Sequence, residues 1–340
     1  MLTLKTYSFN NAFHYPFTIS KGTKTHQPTL VVSLAIGNWV GYGEAPAINY
    51  YNVTVESMIE TLEAKRSFIE KYSMIDPERF WHFLHHLFGN NTFLICALDM
   101  AAWDLWGKMK GKSIGNLIGA TWQSNMLTDY TIGIDTEAKM IEKMQAKPWP
   151  IYKIKCGTTH DLEKIKALRK ITNSPFRLDA NAGWSLDQAL EILPQLETLN
   201  IEIVEQPLAK DNWDGMKILM KNNYNFALMA DETCVLEADV NKCENYFNGI
   251  NIKLTKCGGI TPALRIIKNA RTKNMKLMLG CMNETTIGSA AMAQLAPLVD
   301  YIDMDGPLLL KTDVANGIVF NNGTFSIDPL KHGLGITFNN

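Results

Sequence analysis

The sequence predicts an α/β fold, a closed (β/α)8-type barrel preceded by an α+β module. Three observations carry this. From Leu127 onward, eight short apolar strand patterns alternate with amphipathic helical patterns, the signature of βα units and a parallel sheet. Lys155, Asp179, Glu205, Asp231, Lys253 and Asp305 each fall at or just past the C-terminal end of such a strand, where barrel active sites are built. Before Leu127 the texture differs, with strands first and helices after, and 340 residues suffice for both units.

In order, the first module reads as strands at Leu2 to Ser8, Thr29 to Ile36 and Trp39 to Glu44, the last two joined by the hairpin-compatible pair Gly37-Asn38. Between the first two lies Phe17 to Thr25, a polar loop long enough to reach over something. Helical patterns follow at Val53 to Lys71, Pro77 to Phe88 and Thr92 to Met109; in the last, Ala97, Met100, Ala101, Leu105 and Trp106 recur at helical spacing. The barrel strands read as Leu127 to Ile132, Ile151 to Lys155, Phe176 to Asp179, Ile201 to Val204, Phe226 to Ala230, Ile250 to Leu254, Lys276 to Leu279 and Tyr301 to Met304. A doubly wound open sheet is the alternative, but no Gly-x-Gly-x-x-Gly follows an early strand to support it.

A composition of 46% hydrophobic and 20% charged residues, with net charge -1, describes an ordinary soluble protein without bulk attraction to nucleic acid or anionic membranes. Partners are therefore expected to be small molecules, with homo-oligomerisation left open. No apolar run reaches the roughly 18 residues of a membrane helix, and Met1 to Lys5 reads as a strand, so the default compartment is the cytoplasm. The six cysteines form no Cys-x-x-Cys pair, which argues against a zinc knuckle or disulfide framework.

Chemistry concentrates at the strand ends. Lys153 and Lys155 alternate onto one face of their strand, and their repulsion is expected to lower an ammonium pKa, turning one into a usable proton acceptor. Asp179, Glu205 and Asp231 end three consecutive strands; three carboxylates without histidine or thiolate make a hard oxygen site suited to Mg²⁺ or Mn²⁺. Capping of the following helices is the plainer role for any one of them. Asn181, two residues past Asp179, points with it as a supporting donor or weak ligand. By alternation Asn251, Lys253 and Thr255 share a face, and Lys253 on the sixth strand stands across the barrel from Lys155 on the second. Lys256 is expected at the surface or in a loop. Two amines facing each other over a metal suit removal of a proton beside a carboxylate and its return on the opposite face, with inversion at carbon. On the eighth strand, Asp303 and Asp305 place two carboxylates on one face, fit to grip a cation.

Lys153-Ile154-Lys155, Leu178-Asp179-Ala180-Asn181, Val204-Glu205-Gln206-Pro207, Ala230-Asp231-Glu232 and Asn251-Ile252-Lys253-Leu254-Thr255-Lys256-Cys257-Gly258-Gly259 together resemble the enolase superfamily, muconate-lactonising subgroup. That superfamily's Lys or His base with Mg²⁺ is itself a known pattern. The likeness covers essentially the whole chain, including the helix Leu98 to Lys108. It implies a (β/α)7β barrel over 121–314, under an α+β capping domain over 1–120 that is completed by the tail 315–340. It further implies Mg²⁺ on Asp179, Glu205 and Asp231, with Asn181 and Glu232 behind them, and Lys155 and Lys253 as the acid/base pair with Lys153 as the neighbour that lowers the pKa of Lys155.

The subgroup hosts several reactions. Asp303-Met304-Asp305 is similar to the motif by which dipeptide epimerases hold a free amino end, which favours inversion of the C-terminal residue of L-Ala-Xaa dipeptides. N-acylamino acid racemisation, o-succinylbenzoate synthesis and muconate cycloisomerisation are the alternatives within the subgroup, and a non-catalytic ligand-binding barrel is the alternative outside it. Thr131, Lys24, Met282 and Glu284 are the further candidate substrate contacts. Lys21 or Lys24 of the capping loop could pair with an acidic side chain, although lysine lacks the arginine fork. Acidic and hydrophobic dipeptides both remain open.

Overall fold

In the computed structural model, which describes residues 1–123, 125–328 and 330–339, the chain begins with an antiparallel sheet of β1 (Thr3–Ile19), β2 (Gly22–Ile36) and β3 (Trp39–Pro46) in that order. The expected loop Phe17 to Thr25 is instead the tip of the first hairpin, with Phe17 opposite Lys24, Thr18 opposite Thr23 and Ile19 opposite Gly22. β-Branched Thr18, Ile19, Thr23 and Thr25 suit a pleated backbone, and Gly22 supplies the positive φ (140°) beside the turn. A register shift between Ala12 and Phe17 adds local twist ahead of that tip.

The expected single helix over 53–71 is two, α1 (Val55–Glu63) and α2 (Arg66–Glu70). The break lets Leu62 and Ile69 both bury while Arg66 Nη1 donates to the Leu4 carbonyl at 2.6 Å. α3 (Pro77–Phe88) starts where Asp76 accepts from the Arg79 amide at 2.8 Å, with Pro77 at the position where no amide is missed. α4 (Thr92–Lys110) is buried on nearly all sides because it is sandwiched between cap and barrel. It lies so close to β3 that a Cβ at Gly43 would collide with the Ala97 carbonyl, at 1.9 Å.

Eight parallel strands follow: β4 (Tyr130–Ile132), β5 (Tyr152–Lys155), β6 (Phe176–Asp179), β7 (Ile201–Glu205), β8 (Ala227–Ala230), β9 (Gly249–Ile252), β10 (Lys276–Gly280) and β11 (Tyr301–Asp303). Each pairs with the next in chain order, and a parallel bridge between Thr128 and Ile302 brings the first against the last. Their side chains are buried on both faces, which is why the strands read as apolar runs. Helices pack outside, and β11 is followed by only the short turn Gly306–Leu309, so the architecture is a modified (β/α)7β barrel under an N-terminal cap.

The apolar interior falls mainly into one cluster under the cap sheet and a larger one around the barrel. The tail returns to the cap: Leu334 donates its amide to Asp104 at 2.8 Å, and Phe338 stacks on Tyr42 at 4.7 Å. Within the expected barrel and tail ranges, Ser124, Pro329 and Asn340 lie outside the described residues. Among the described residues no helix is long and apolar enough to cross a membrane.

Candidate active site

The C-terminal strand ends open beneath the hairpin tip on a cavity of about 440 Å³, a size suited to a small ligand. The cap contributes Phe17, Ile19, Lys24 and Tyr51 to its walls. Thr131, Lys155, Asn181, Asp231, Lys253 and Asp305 are among the barrel's contributions. Tyr50 and Tyr51, placed over the cavity by the turn after β3, escaped the sequence reading; their one signal is an adjacent aromatic pair in a loop just past Pro46.

Lys153 and Lys155 do share the inward face of β5, but not as two repelling free amines. Lys153 is fully buried, and its Nζ lies 2.7 Å from Asp303, 2.8 Å from Glu205 and 3.2 Å from Asp179. Burial alone would lower its pKa, yet Asp303, Glu205 and Asp179 outweigh it and hold the ammonium well above its ordinary value. Lys153 is therefore the floor cation of the site, a charged neighbour of Lys155 held in place by three carboxylates. Lys155, one step nearer the mouth, donates to Asp179 Oδ2 at 2.6 Å.

Asp179 and Glu205 are the last residues of β6 and β7, and Asp231 directly follows β8. Asp179 sits near 2: burial pushes it up, but the Lys155 and Lys153 ammoniums prevail. Asp231 is driven well below the ordinary range by Lys253 and Lys256 against its own burial. Glu205 rises to about 7, chiefly through burial and then through Asp179, although Asn251 Nδ2 donates to it at 2.6 Å.

β9 ends at Ile252 and the chain enters a helical turn, Leu254–Cys257, so strand alternation stops there. Lys253 still points inward, donating to Asp231 Oδ2 at 2.7 Å; burial lowers its pKa less than Asp231 and Glu205 raise it. Lys256 corrects the surface expectation. It is 1% exposed, and its amine donates to Asp231 Oδ1 and to the carbonyls of Asp231, Cys234 and Asn251. The sequence signal was Gly258-Gly259, which closes a helical turn with Gly258 at φ 95°.

Asn181 donates its amide to Asp179 at 3.0 Å and its side chain to Glu232 at 3.4 Å. Its Oδ1 and Glu232 Oε2 are buried without a partner. Glu232 is raised to about 8 by burial and by Asp231.

On the far wall, Asp303 Oδ2 is taken by Lys153, and Asp305 Oδ2 accepts the Thr131 amide at 2.6 Å. The other oxygens of both face Cys281 Sγ, at 3.7 and 3.6 Å. Burial raises Asp303, but Lys153 holds it below the usual carboxylate range; burial and Asp303 lift Asp305 to about 7. Met282 lines the cavity, whereas Glu284 is 3% exposed and turned into the wall, accepting the Met282 amide. Lys24 reaches in from the hairpin, 3.2 Å from Gln27 Oε1, and burial lowers its pKa to about 8 despite Glu284.

Six buried carboxyl groups (Asp179, Glu205, Asp231, Glu232, Asp303, Asp305) meet four buried lysines (Lys153, Lys155, Lys253, Lys256), a surplus of two acidic groups, and Glu205, Glu232 and Asp305 are the ones raised toward neutrality. That surplus, the all-oxygen donors of Asp179, Glu205 and Asp231, and the unpartnered Asn181 and Glu232 oxygens fit a hard divalent cation.

Residues 1–119 match the model of the mandelate racemase / muconate lactonizing enzyme N-terminal domain, and residues 136–340 match the enolase C-terminal domain-like model. The chain is 45% identical over 329 residues to an L-Ala-D/L-amino acid epimerase of Flavobacterium johnsoniae, covering 97% of each. Its fold superposes with a TM-score of 0.92 on the substrate-liganded L-Ala-D/L-Glu epimerase from Bacillus subtilis, at 29% identity and 98% of each chain. It does so equally, at 0.92 with 26% identity, on the dipeptide epimerase from Cytophaga hutchinsonii complexed with Mg and D-Ala-L-Val, over 100% of this chain and 96% of that one. Fold and likeness define an isomerase of the epimerase kind on a capped barrel. The chain belongs to the mandelate racemase / muconate lactonizing enzyme family of the enolase superfamily.

Proposed function

We propose that this enzyme is a dipeptide epimerase that inverts the α-carbon of the C-terminal residue of L-Ala-Xaa dipeptides by proton transfer between two lysines. The observation that carries the reading is the placement of Lys155 and Lys253: β5 and β9 are four strands apart in a ring of eight, so the two amines enter from opposite walls. Lys155 takes or gives the α-proton on one face of the substrate, and Lys253 does so on the other. Asp179, Glu205 and Asp231 would hold Mg²⁺, or Mn²⁺ in its place, whose charge would favour loss of the proton beside the substrate carboxylate. Lys153 and Lys256 keep those carboxylates oriented from below.

Asp303 and Asp305 take the substrate ammonium, with Thr131 holding Asp305 in place. A dianion or an N-acylated substrate would meet these carboxylates without a cation to offer. Lys24 and Met282 face the side chain being inverted, and Lys24 favours an acidic one. We also infer a division of labour near residue 120, in which 1–120, completed by the tail 315–340, covers the site and contributes Lys24 to side-chain selection, while 121–314 supplies the chemistry and the Met282 wall.

Incubation with Mg²⁺ and a panel of L-Ala-L-Xaa dipeptides in D₂O should place deuterium on the C-terminal α-carbon. No exchange with any dipeptide would sink the proposal. Exchange confined to N-acylamino acids would replace it with the racemase alternative.

A further inference from the structure

Glu44 of β3, in the cap, is a fully buried carboxylate that takes no part in the proposed chemistry. Its partners are neutral donors. Oε1 accepts from Thr29 Oγ1 and the Thr285 amide, both at 3.0 Å; Oε2 accepts from Thr285 Oγ1 at 2.7 Å and the Gly288 amide at 3.0 Å. Four donors fill the acceptor capacity of one carboxylate. Three of them belong to the barrel segment that leaves β10 and starts the helix Thr286–Leu295.

That segment is a wall of the cavity. Cys281 and Met282 line it, and Cys281 Sγ lies 3.6 Å from Asp305 Oδ1. The segment is also wedged on its far side. A Cβ at Gly306, the residue after Asp305, would stand 2.1 Å from the Glu284 carbonyl, and one at Gly288 would stand 2.5 Å from Glu284 Cγ. With no slack against Gly306 and Gly288, the place of this wall depends on what grips it at its helix end: Glu44 at Thr285 and Gly288, and Asp313, which accepts the Thr286 amide and hydroxyl beside them.

We propose that Glu44 is a positioning residue: from the cap sheet it fixes the Cys281–Thr285 segment, and through it the Met282 wall and the Asp305 corner of the substrate pocket. The cap then shapes the site in two ways, by covering it with the hairpin and by holding a barrel loop. The consequence for turnover rests on the dipeptide reading; the position of the loop does not.

The test is Glu44→Gln in the full chain, whose amide nitrogen would face a donor it cannot accept from. Cys281 is the one half-buried cysteine, and the other five are buried. Burial and the neighbouring Asp303 and Asp305 hold its thiol well above the ordinary pKa, so native alkylation is slow and reports loosening. Iodoacetamide labelling read by peptide mass should speed about tenfold at Cys281 alone, the scale of one lost hydrogen bond to a charged group. KM for the dipeptide should rise about tenfold with kcat changed less than about threefold, and Glu44→Asp should restore part of both. Asp104→Asn alters another buried cap carboxylate, one bound to the Tyr42 and Leu334 amides, and should leave Cys281 labelling at the wild-type rate. Thr285→Val, which deletes one of the four bonds, gives a smaller effect in the same direction if Glu44→Gln does not fold. Cys281 labelling at the wild-type rate in folded Glu44→Gln or in folded Thr285→Val, or all six cysteines speeding together, overturns the proposal. Absence of turnover by the wild-type enzyme counts against the dipeptide reading and leaves the labelling result decisive here.

Discussion

Lys253→Ala should separate exchange from inversion. Eight strands spaced about 4.8 Å apart and tilted about 36° enclose a barrel with a radius of roughly 7.5 Å. An extended lysine spans roughly 6 Å from Cα to Nζ, so an amine reaches the neighbourhood of the axis but cannot reach around a carbon held on it. With β5 and β9 on opposite walls, removing Lys253 leaves one face of the substrate without a proton carrier. Positioned acid–base groups contribute about 10² to 10⁴ in rate, and epimerisation in both directions should fall by that factor. Lys155 keeps its 2.6 Å contact with Asp179, and Asp231 keeps Lys256, so the remaining half-site survives. Deuterium should then still enter the epimer whose α-proton faces Lys155, within about tenfold of the wild-type rate, and without inversion. Proton NMR of each epimer in D₂O measures both quantities, and Lys155→Ala should show the opposite preference. Inversion retained by Lys253→Ala, or equal loss of exchange from both epimers, would refute the two-wall mechanism.

Three further outcomes follow from the charges. A chelator should stop exchange and Mg²⁺ restore it; at a hundredfold excess over its Kd the cation adds about 2.7 kcal/mol, roughly a 4 °C rise in Tm for a chain of this length, readable by scanning calorimetry. Lys153→Met leaves Asp303, Glu205 and Asp179 without their shared ammonium and should cost about 3 to 5 kcal/mol, measured by denaturant unfolding, where a loss under 1 kcal/mol would deny Lys153 its floor role. Lys24→Met should raise KM for L-Ala-L-Glu about tenfold while leaving aliphatic dipeptides within about twofold. Since burial lowers the Lys24 pKa to about 8, the selection for acidic over aliphatic dipeptides proposed for Lys24 should fade as pH rises through that value, and a selectivity flat from pH 6 to 10 would remove Lys24 from recognition.

The barrel and its ring of polar strand ends were legible because they repeat. Acid or lysine at the end of an apolar strand recurs at the βα period, so Lys155, Asp179, Glu205, Asp231 and Lys253 announce one face of one ring. What the sequence hid was non-local or broke the period. The partner of Lys153 is Asp303, 150 positions on, so its role as a floor cation was invisible while only its neighbour Lys155 was in view. Lys256 was misread because the strand was extended two residues past the end of β9, to Leu254, where a helical turn begins. The Phe17 to Thr25 stretch read as a loop because its threonines are polar, although their branching favours the strand pairing that forms. Glu44 gave no signal: a carboxylate in a strand reads as solvent-facing until the helix that buries it is placed.

The ring of eight also gives a geometric reason for the proposed pairing of inversion with dipeptide recognition. β7 and β11 are four strands apart, as β5 and β9 are, so the site has two crossing axes. On the first stand the two lysines. On the second, Glu205 and its neighbouring carboxylates stand at one end, and Asp303 and Asp305 at the other. On the proposed reading, a dipeptide laid along the second axis, its carboxylate toward Glu205 and its ammonium toward Asp303, would present its C-terminal α-carbon to both lysines at once. Lys153 lies beneath the crossing and bonds both ends, Glu205 at 2.8 Å and Asp303 at 2.7 Å. One buried ammonium thus ties the separation between the two binding ends to the place where the proton must move. Changing substrate length without changing Lys153 should therefore lower turnover more than binding, because a longer peptide can keep both ends only by carrying its α-carbon off the lysine axis.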